Sequence, residues 1–211
     1  MKKIVTHDGV FHADEVFAIA LLKVSSIQDD FEIIRTRDAN IVSEADIVID
    51  VGGKVSDIVA EADLAAIMGI SSKLYFDHHQ FDKDDKLFGL SSAGLVYKFL
   101  TARVSDDPIT YGYGYETGWT NLYLTESCKD LERLVKMVDE HDTGICPNFK
   151  HEFIDTINGL NSPSDIGGKV QDKNFEIAIK YAVAYVKNLL TGYITEDSPW
   201  KELYKCEEDI I

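Results

Sequence analysis

Histidines and carboxylates gather in three short segments of this chain, and together they have the composition of a metal site. The first segment offers two imidazoles and a carboxylate within eight residues, at His7, His12 and Asp14. The second is Asp50-Val51-Gly52-Gly53, and the third is Asp77-His78-His79. Mixed nitrogen and oxygen ligands suit hard-to-borderline divalent ions such as Mn²⁺. We therefore predict a metal centre built from these segments.

Short apolar segments precede these residues and are typical of buried β-strands. They are 3–6, 31–35, 46–50 and 73–76. Between the first two, apolar residues recur at spacings of three and four from Ala13 to Val24, which predicts a helix with one buried face. The repeated β-α-β pattern predicts an α/β fold with a mostly parallel sheet flanked by helices. The strands of such a sheet end at one carboxyl edge, where ligands bind, so we expect the metal ligands to converge there.

Three further helices are predicted after residue 90. One begins near Ser92, with Ser91 and Ser92 as natural N-caps, and another contains 131–138 and ends within 139–144. Asp142, at the end of that second helix, adds another carboxylate to the candidate site. The third helix is predicted over about 172–190. We place a metal-binding catalytic domain at 1–145 and a short C-terminal helical extension at 146–211.

Two metal ions account for these candidate ligands better than one. The candidates outnumber the about four ligands of a single zinc site. Two divalent ions about 3.5–4 Å apart are a common device for in-line displacement at phosphorus. Asp50, which follows a central strand, is best placed to bridge them. Adjacent residues of extended chain face opposite ways, so His79 is placed to contact the phosphoryl group rather than a metal ion.

Four stretches of the chain form a specific combination. They are His7-x-Gly9-x-Phe11-His12-x-Asp14-Glu15, Asp50-Val51-Gly52-Gly53, Phe76-Asp77-His78-His79-Gln80 and His141-Asp142-Thr143-Gly144. This combination resembles the four motifs of the DHH phosphoesterase superfamily. Together with Leu90-Ser91-Ser92-Ala93-Gly94-Leu95-Val96-Tyr97, it resembles, within that superfamily, the melanocyte-proliferating-gene nuclease family. The resemblance covers residues 1 to about 145.

The resemblance implies a ligand set, a reaction and a substrate. The implied metal ligands are His7, His12, Asp14, Asp50, His78 and Asp142, with Asp139 as the rival for the last place. The implied reaction is Mn²⁺-assisted phosphodiester hydrolysis, which in that family is directed at RNA from its 3′ end. We expect two ions, Mn²⁺ with Mg²⁺ as the alternative, and a short single-stranded RNA substrate. The resemblance transfers the chemistry better than the substrate.

Other residues are predicted to assist this chemistry. Asp77 and His79 are the candidate catalytic residues, with Asp77 orienting His78 and His79 touching the phosphate. The turn at Ser91 and Ser92 is predicted to hold a phosphate oxygen at a helix N-terminus. Further candidates for holding substrate are Lys150, His151, Asn161 and Lys169.

The composition limits the partners of the chain. Twenty-one basic residues face thirty-seven acidic ones, a formal net charge of −16. Nucleic-acid binding relies on phosphate neutralisation by Lys and Arg, so we expect no duplex DNA partner, whereas short RNA and nucleotides remain open. Apolar runs are too short to span a membrane and no signal sequence is visible, so we expect a cytoplasmic protein without a membrane partner. Cys128, Cys146 and Cys206 lack paired spacing and are predicted to be reduced.

Two alternatives to the exonuclease follow from the same residues. The acidity of the chain and the short part after Asp142 favour a small-molecule phosphohydrolase acting on a cyclic nucleotide, a dinucleotide or pyrophosphate. The other alternative is a non-catalytic metal- or nucleotide-binding protein with the tyrosine-rich segment 106–125 as an interface. That segment either stacks on bases or makes a packing or subunit contact, and a subunit contact implies a homo-oligomer.

Overall fold

The computed structural model describes residues 2–25, 31–52, 74–80, 87–101, 128–165 and 168–191. Within these ranges it shows a four-stranded parallel sheet and six α-helices, which confirms the predicted α/β class. The aromatic segment 106–125, the residues after 191 and Gly53 lie outside the described residues, and with them the predicted base-stacking or subunit surface. None of the described helices combines the length and apolarity needed to cross a membrane.

The sheet is formed by four short strands that pair in parallel in the order β2-β1-β3-β4. They are β1 (Lys2–Thr6), β2 (Phe31–Arg35), β3 (Ile47–Ile49) and β4 (Leu74–Phe76). The register aligns Thr6 with Ile49 and Ile49 with Phe76. Strands β1, β3 and β4 therefore end level with one another, and the residues that follow them emerge side by side at the carboxyl edge.

Helices cover both faces of this sheet. They are α1 (Ala13–Ser25), α2 (Ala39–Glu44), α3 (Ser92–Thr101), α4 (Lys129–Asp142), α5 (Glu152–Gly159) and α6 (Lys169–Thr191), with one 3₁₀ turn at His78–Gln80. Ile4 points into the large core built with α1, whereas Val5 points to the other face, where Val42 of α2 packs. This alternation is the pleat of a strand that is buried on both sides.

Helix α1 is buried on all sides rather than on the one face that its periodicity predicts. Ala18, Ile19 and Leu22, outside the predicted stripe, are as inaccessible as the residues within it. The reason is tertiary, because α1 packs against α3 and α6 as well as against α4, α5 and the sheet. Both helices after residue 146 thus contribute to the core around α1, and the proposed domain boundary at 145 stays a prediction.

Candidate metal centre

The carboxyl edge of the sheet delivers the first ligand candidates. His7, Asp50 and Asp77 each follow the last residue of a strand, and the shared register brings these positions to one edge. Asp50 adopts a positive φ of 50°, the left-handed region that residues other than glycine rarely occupy. Strain of this kind persists where the surrounding structure imposes it, and it is concentrated at functional sites.

Asp50 lies at the middle of the cluster, with one carboxylate oxygen toward each side. Its Oδ2 is 3.3 Å from Nε2 of His7. Its Oδ1 is 3.3 Å from Nε2 of His78 and 3.4 Å from Nδ1 of His79. Asp50 therefore joins the histidine that follows β1 to the histidines that follow β4, as a bridging carboxylate must.

The N-terminus of α1 supplies the next group of side chains. Glu15 accepts the backbone N–H of His12 with both carboxylate oxygens, at 2.8 and 2.9 Å, and its Oε1 is also 3.1 Å from Nε2 of His7. Glu15 belongs to the first motif, but no role is predicted for it from the sequence. The sequence does carry a signal for this contact. His12 precedes α1 and Glu15 is the third residue of that helix, the position from which a glutamate accepts the N–H of the capping residue in a capping box.

Asp14 is the most deeply buried carboxylate of the cluster. It is 1% exposed, and neither of its carboxylate oxygens has a hydrogen-bond partner. One of them lies within 4.8 Å of ligand atoms of both His12 and Asp142. Asp142 in turn places Oδ2 3.3 Å from Nε2 of His78. A buried carboxylate without partners is costly unless a proton or a cation neutralises it, so Asp14 is a candidate metal ligand.

The structure thus brings together all six predicted ligands, and their arrangement suits divalent ions. Nitrogen–oxygen separations in the cluster are 3.1–3.4 Å. Two ligands that share one ion through bonds of about 2.0–2.2 Å lie about 3–3.4 Å apart. Among the described residues, three overlapping groups of possible ligand atoms lie within 4.8 Å of one another, and the groups share His12 and Asp50. They are His7, His12, Glu15 and Asp50; Asp50, His78 and His79; and His12, Asp14 and Asp142.

The charge of the cluster supports the same assignment. Four carboxylates meet here, those of Asp14, Glu15, Asp50 and Asp142. In the described part of the chain, no lysine or arginine forms an ion pair with any of them. Two divalent cations would balance about four negative charges, so the residues present fit a two-ion site.

The electrostatics divide the cluster into two parts. Burial lowers the pKa of His7, but its hydrogen bonds to Asp50 and Glu15 outweigh burial and raise that pKa to about 10. Burial alone would raise the pKa of Asp50, yet the hydrogen bonds to His7 and His78 hold it below its usual range. Burial, followed by repulsion from Asp50, raises the pKa of Asp14 well above its usual value. Asp14 thus lies on the side of the cluster that lacks positive charge.

His7 is oriented as a metal ligand would be. Its Nδ1 lies 3.0 Å from the backbone carbonyl of Asp8, which can only accept. Nδ1 is therefore the nitrogen that carries the proton, and in the neutral ring Nε2 directs its lone pair into the cluster. A backbone carbonyl on the second ring nitrogen is the usual way in which proteins set the tautomer of a metal-binding histidine.

Asp77 contacts a different histidine from the one predicted. The predicted partner of its carboxylate is His78, whereas in the structure Oδ1 accepts from His79, 2.8 Å from Nδ1 and 3.1 Å from the backbone nitrogen. The side chain of His79 is 61% exposed, at the rim of the site. His78–Gln80 form a 3₁₀ turn rather than extended chain, and within it the backbone N–H and the ring of His79 return to Asp77, two residues earlier.

Asp139 and Asp142 occupy different environments, although both belong to α4. Asp139 accepts the backbone N–H of Ser91 at 2.9 Å and its hydroxyl at 2.7 Å, and it is buried against α3. Burial raises the pKa of Asp139 to about 6. Asp142 faces His78 instead. The geometry therefore favours Asp142 over Asp139 as the ligand.

The amino-acid sequence of the chain matches the model of one protein family over nearly its whole length. The chain matches the MYG1_exonuc model, described as an uncharacterised protein family (UPF0160), over residues 3–207. The chain belongs to this family. The predicted nuclease family is thereby confirmed, while placement in the DHH superfamily stays a prediction.

Relatives in the MYG1 family span distant organisms. The chain is 34% identical to a MYG1 protein of Chlamydia trachomatis over 188 residues, covering 87% of this chain and 52% of the relative. It is 30% identical to a MYG1 protein of Dictyostelium discoideum over 209 residues, covering 90% of this chain and 56% of the relative. The human MYG1 exonuclease is 35% identical over 105 residues, covering 45% of this chain and 24% of the relative.

The chain spans about half the length of curated relatives that it matches, such as 52% of the Chlamydia trachomatis protein and 56% of the Dictyostelium discoideum one. No solved structure matches it.

The predicted substrate-holding residues of this MYG1-family chain have mixed placements. Ser91 and Ser92 are fully buried, and Ser91 donates to Asp139, so the structure corrects the expectation that Ser91 holds a phosphate oxygen. The physical reason is that Ser91 and Asp139 together cap the N-terminus of α3. His151 caps α5, where its Nδ1 accepts the N–H of Phe153 at 3.2 Å, and Lys150 beside it is exposed.

The loop that carries His7 and His12 is held from the C-terminal helices. Asn161 accepts the N–H of Phe11 at 3.0 Å and donates to its carbonyl at 2.7 Å. Gln171 of α6 is fully buried, donates to the Gly9 carbonyl at 3.2 Å and also bonds Asn161. Asn161 thus positions the metal loop rather than facing substrate. No local pattern in the sequence reveals this role, since its partner is 150 residues away.

Proposed function

We propose that this chain is a DHH-type phosphodiesterase that uses two divalent ions, Mn²⁺ with Mg²⁺ as the alternative. The observation that carries the proposal is Asp50, with Oδ2 toward His7 and Oδ1 toward His78, both at 3.3 Å. The residues that would hold the ions are His7, His12, Asp14, Asp50, His78 and Asp142. When bound, such ions lower the pKa of water and neutralise charge that develops on the phosphoryl oxygens.

His79 is suited to contact the phosphoryl group of the substrate. Its hydrogen bond to Asp77 is the main cause that raises the pKa of His79 and favours the charged ring. The N–H at Nδ1 of His79 donates a hydrogen bond to Asp77. The N–H at Nε2 of this exposed, charged ring is therefore available to donate to a phosphoryl oxygen. His79 would thereby orient the ester and stabilise its negative charge.

Glu15 acts on the metal loop rather than on substrate. It bonds both the His12 N–H and Nε2 of His7, so it fixes the two histidines relative to the start of α1. Negative charge at that helix N-terminus is also favourable. We assign Glu15 to positioning of the ligands.

The substrate we propose is short single-stranded RNA, degraded from its 3′ end. Support comes from the motif resemblance and from the human relative, whose name is MYG1 exonuclease. The net charge of −16 argues against long polyanions and is compatible with short substrates. We also propose a cytoplasmic location.

The experiment that tests this function is Mn²⁺-dependent cleavage of a 5′-labelled RNA oligonucleotide. A ladder that shortens one nucleotide at a time indicates 3′-to-5′ degradation, whereas immediate release of the labelled mononucleotide indicates the opposite direction. Asp142→Asn should lower the rate at least about a hundredfold. Asp139→Asn is the matched control on the same helix, since its amide oxygen can still accept from Ser91. Full activity in chelator would contradict the proposal.

A small-molecule phosphohydrolase is the second candidate, favoured by the strong acidity of the chain. Salt distinguishes the two, because phosphate contacts to an oligonucleotide weaken as ionic strength rises. Faster turnover of cyclic nucleotides, dinucleotides or pyrophosphate, without salt dependence, would establish this candidate. Binding of Mn²⁺ and nucleotides without any turnover would instead establish a non-catalytic binding protein.

A further inference from the structure

A cleft of about 310 Å³ opens directly beside the metal cluster. Its walls are the metal loop at Val10–His12 on one side and the segment from Asn158 to Pro163 on the other. His12 belongs both to this cleft and to two of the three ligand groups. Any molecule in the cleft is therefore next to the proposed site of phosphodiester cleavage.

The walls of the cleft are mainly apolar, because most polar groups of the described lining residues are already used. Asn161 is bonded to the backbone of Phe11 on both its oxygen and its nitrogen. The N–H of Ser162 donates to Gln171 at 2.6 Å. What remains accessible is the side chain of Val10, which is 40% exposed, together with Pro163 and the ring of His12. These are flat or apolar surfaces suited to the face of a ring.

One polar atom in the cleft has no partner. Oδ1 of Asn158 is buried, lacks a hydrogen bond and belongs to a residue that lines the cleft. A buried acceptor of this kind is costly unless a donor occupies the space in front of it. The described residues that line the cleft include no lysine or arginine, so the walls do not suit a phosphate group.

We propose that this cleft is a nucleobase subsite. It binds the base of the nucleotide whose phosphodiester lies at the metal centre, with the ring between Val10 and Pro163 and an exocyclic amino group donating to Asn158. The inference rests on the proposed phosphodiesterase function and extends it to a preference for adenine and cytosine over uracil, which lacks that amino group.

Binding without catalysis tests the subsite directly. Adenosine should give saturable NMR shifts of the Val10 methyl groups and of the Asn158 side-chain amide in the metal-free protein, whereas ribose 5-phosphate should leave those signals in place. Absence of shifts with adenosine, or equal shifts with ribose 5-phosphate, overturns the subsite. This readout stands even if no hydrolysis is found, so its outcome is separate from that of the proposed function.

Two esters test the subsite in turnover with Mn²⁺. Adenosine 5′-(4-nitrophenyl phosphate) carries a base with an exocyclic amino group, and bis(4-nitrophenyl) phosphate carries no base. Val10→Trp fills the cleft and should lower the ratio of kcat/KM for the first ester to that for the second at least tenfold. Ile41→Trp, an exposed position on α2, is the control and should leave the ratio as in the wild type. An unchanged ratio in Val10→Trp overturns the proposal, and no hydrolysis of either ester by the wild type overturns the proposed function instead.

Asn158 provides a second variant that does not depend on filling space. The wild type should cleave ApA at least fivefold more efficiently than UpU, and Asn158→Leu should abolish that preference. Equal cleavage of the two dinucleotides by the wild type contradicts the role of Asn158. Capture of an apolar peptide in the cleft with no adenosine binding would assign it to protein contact and overturn the nucleobase role.

Discussion

Replacement of Asp14 by asparagine should change protein stability in opposite directions with and without metal. Asp14 is buried without hydrogen bonds and has a carboxylate oxygen within 4.8 Å of one of Asp142. Two unit charges at 4.8 Å repel by about 3.5 kcal/mol at an effective dielectric constant of about 20. The new amide, also without partners, costs about 1–3 kcal/mol. In chelator, at a pH where Asp14 is ionised, the variant should therefore be the more stable protein, by about 0.5–2.5 kcal/mol.

Metal should reverse that order. At a free Mn²⁺ concentration of about 100 times Kd, binding stabilises the wild type by about 2.7 kcal/mol. One kcal/mol corresponds to about 2–4 °C in Tm for a chain of this size. The wild type should thus gain about 5–11 °C, whereas Asp14→Asn, which lacks a ligand, should gain little. Thermal unfolding followed in EDTA and across a Mn²⁺ titration measures both effects.

The advantage of Asp14→Asn in chelator should also depend on pH. The pKa of Asp14 is raised above its usual 3.8 by burial and by Asp50, so the folded protein retains a proton that the unfolded chain releases. Stability of the wild type then falls as the pH rises above about 3.8, and the advantage of the variant grows. Asp155→Asn, at an exposed position on α5, is the control. It should leave the Tm in EDTA and the Tm with Mn²⁺ as they are in the wild type. The reasoning is refuted if Asp14→Asn is less stable than the wild type in EDTA, or if its Tm rises with Mn²⁺ as much as that of the wild type.

Three further predictions concern packing, positioning and protonation. Gly94→Ala should destabilise the protein by about 1–3 kcal/mol, because the new Cβ meets the Asp139 carboxylate, and this outweighs the better helix propensity of alanine. Unfolding in urea measures the change in the free energy of unfolding. Gln171→Leu should weaken Mn²⁺ affinity about tenfold by releasing the Gly9 carbonyl, and calorimetry with unchanged affinity would contradict the positioning role. Asp77→Asn should lower the pKa of His79, so the alkaline limb of the pH profile of kcat/KM should move to lower pH, and a stationary limb would show that the His79 proton is not used.

The sequence alone determined the four strands, four of the six described helices and the chemistry at their ends, but it did not predict α2 or α5. Strand β2 has the predicted bounds, and α3 begins at the predicted Ser92. These features are local, because hydrophobic periodicity and capping depend on residues within a turn or two of one another. The α/β class then follows from alternation of strands and helices, and the parallel sheet brings the predicted ligands to one edge.

Tertiary structure decided which side chain contacts which. Asp139 bonds Ser91 across 48 residues, and Asn161 bonds Phe11 across 150 residues. Such partners depend on how helices pack, and nothing in the local sequence around either residue encodes them. The choice between Asp139 and Asp142 is a matter of one helical turn, since residues three apart on α4 face α3 and the metal cluster respectively. Rotation of a helix about its axis is set by the whole core against which it packs, and only the folded chain contains that information.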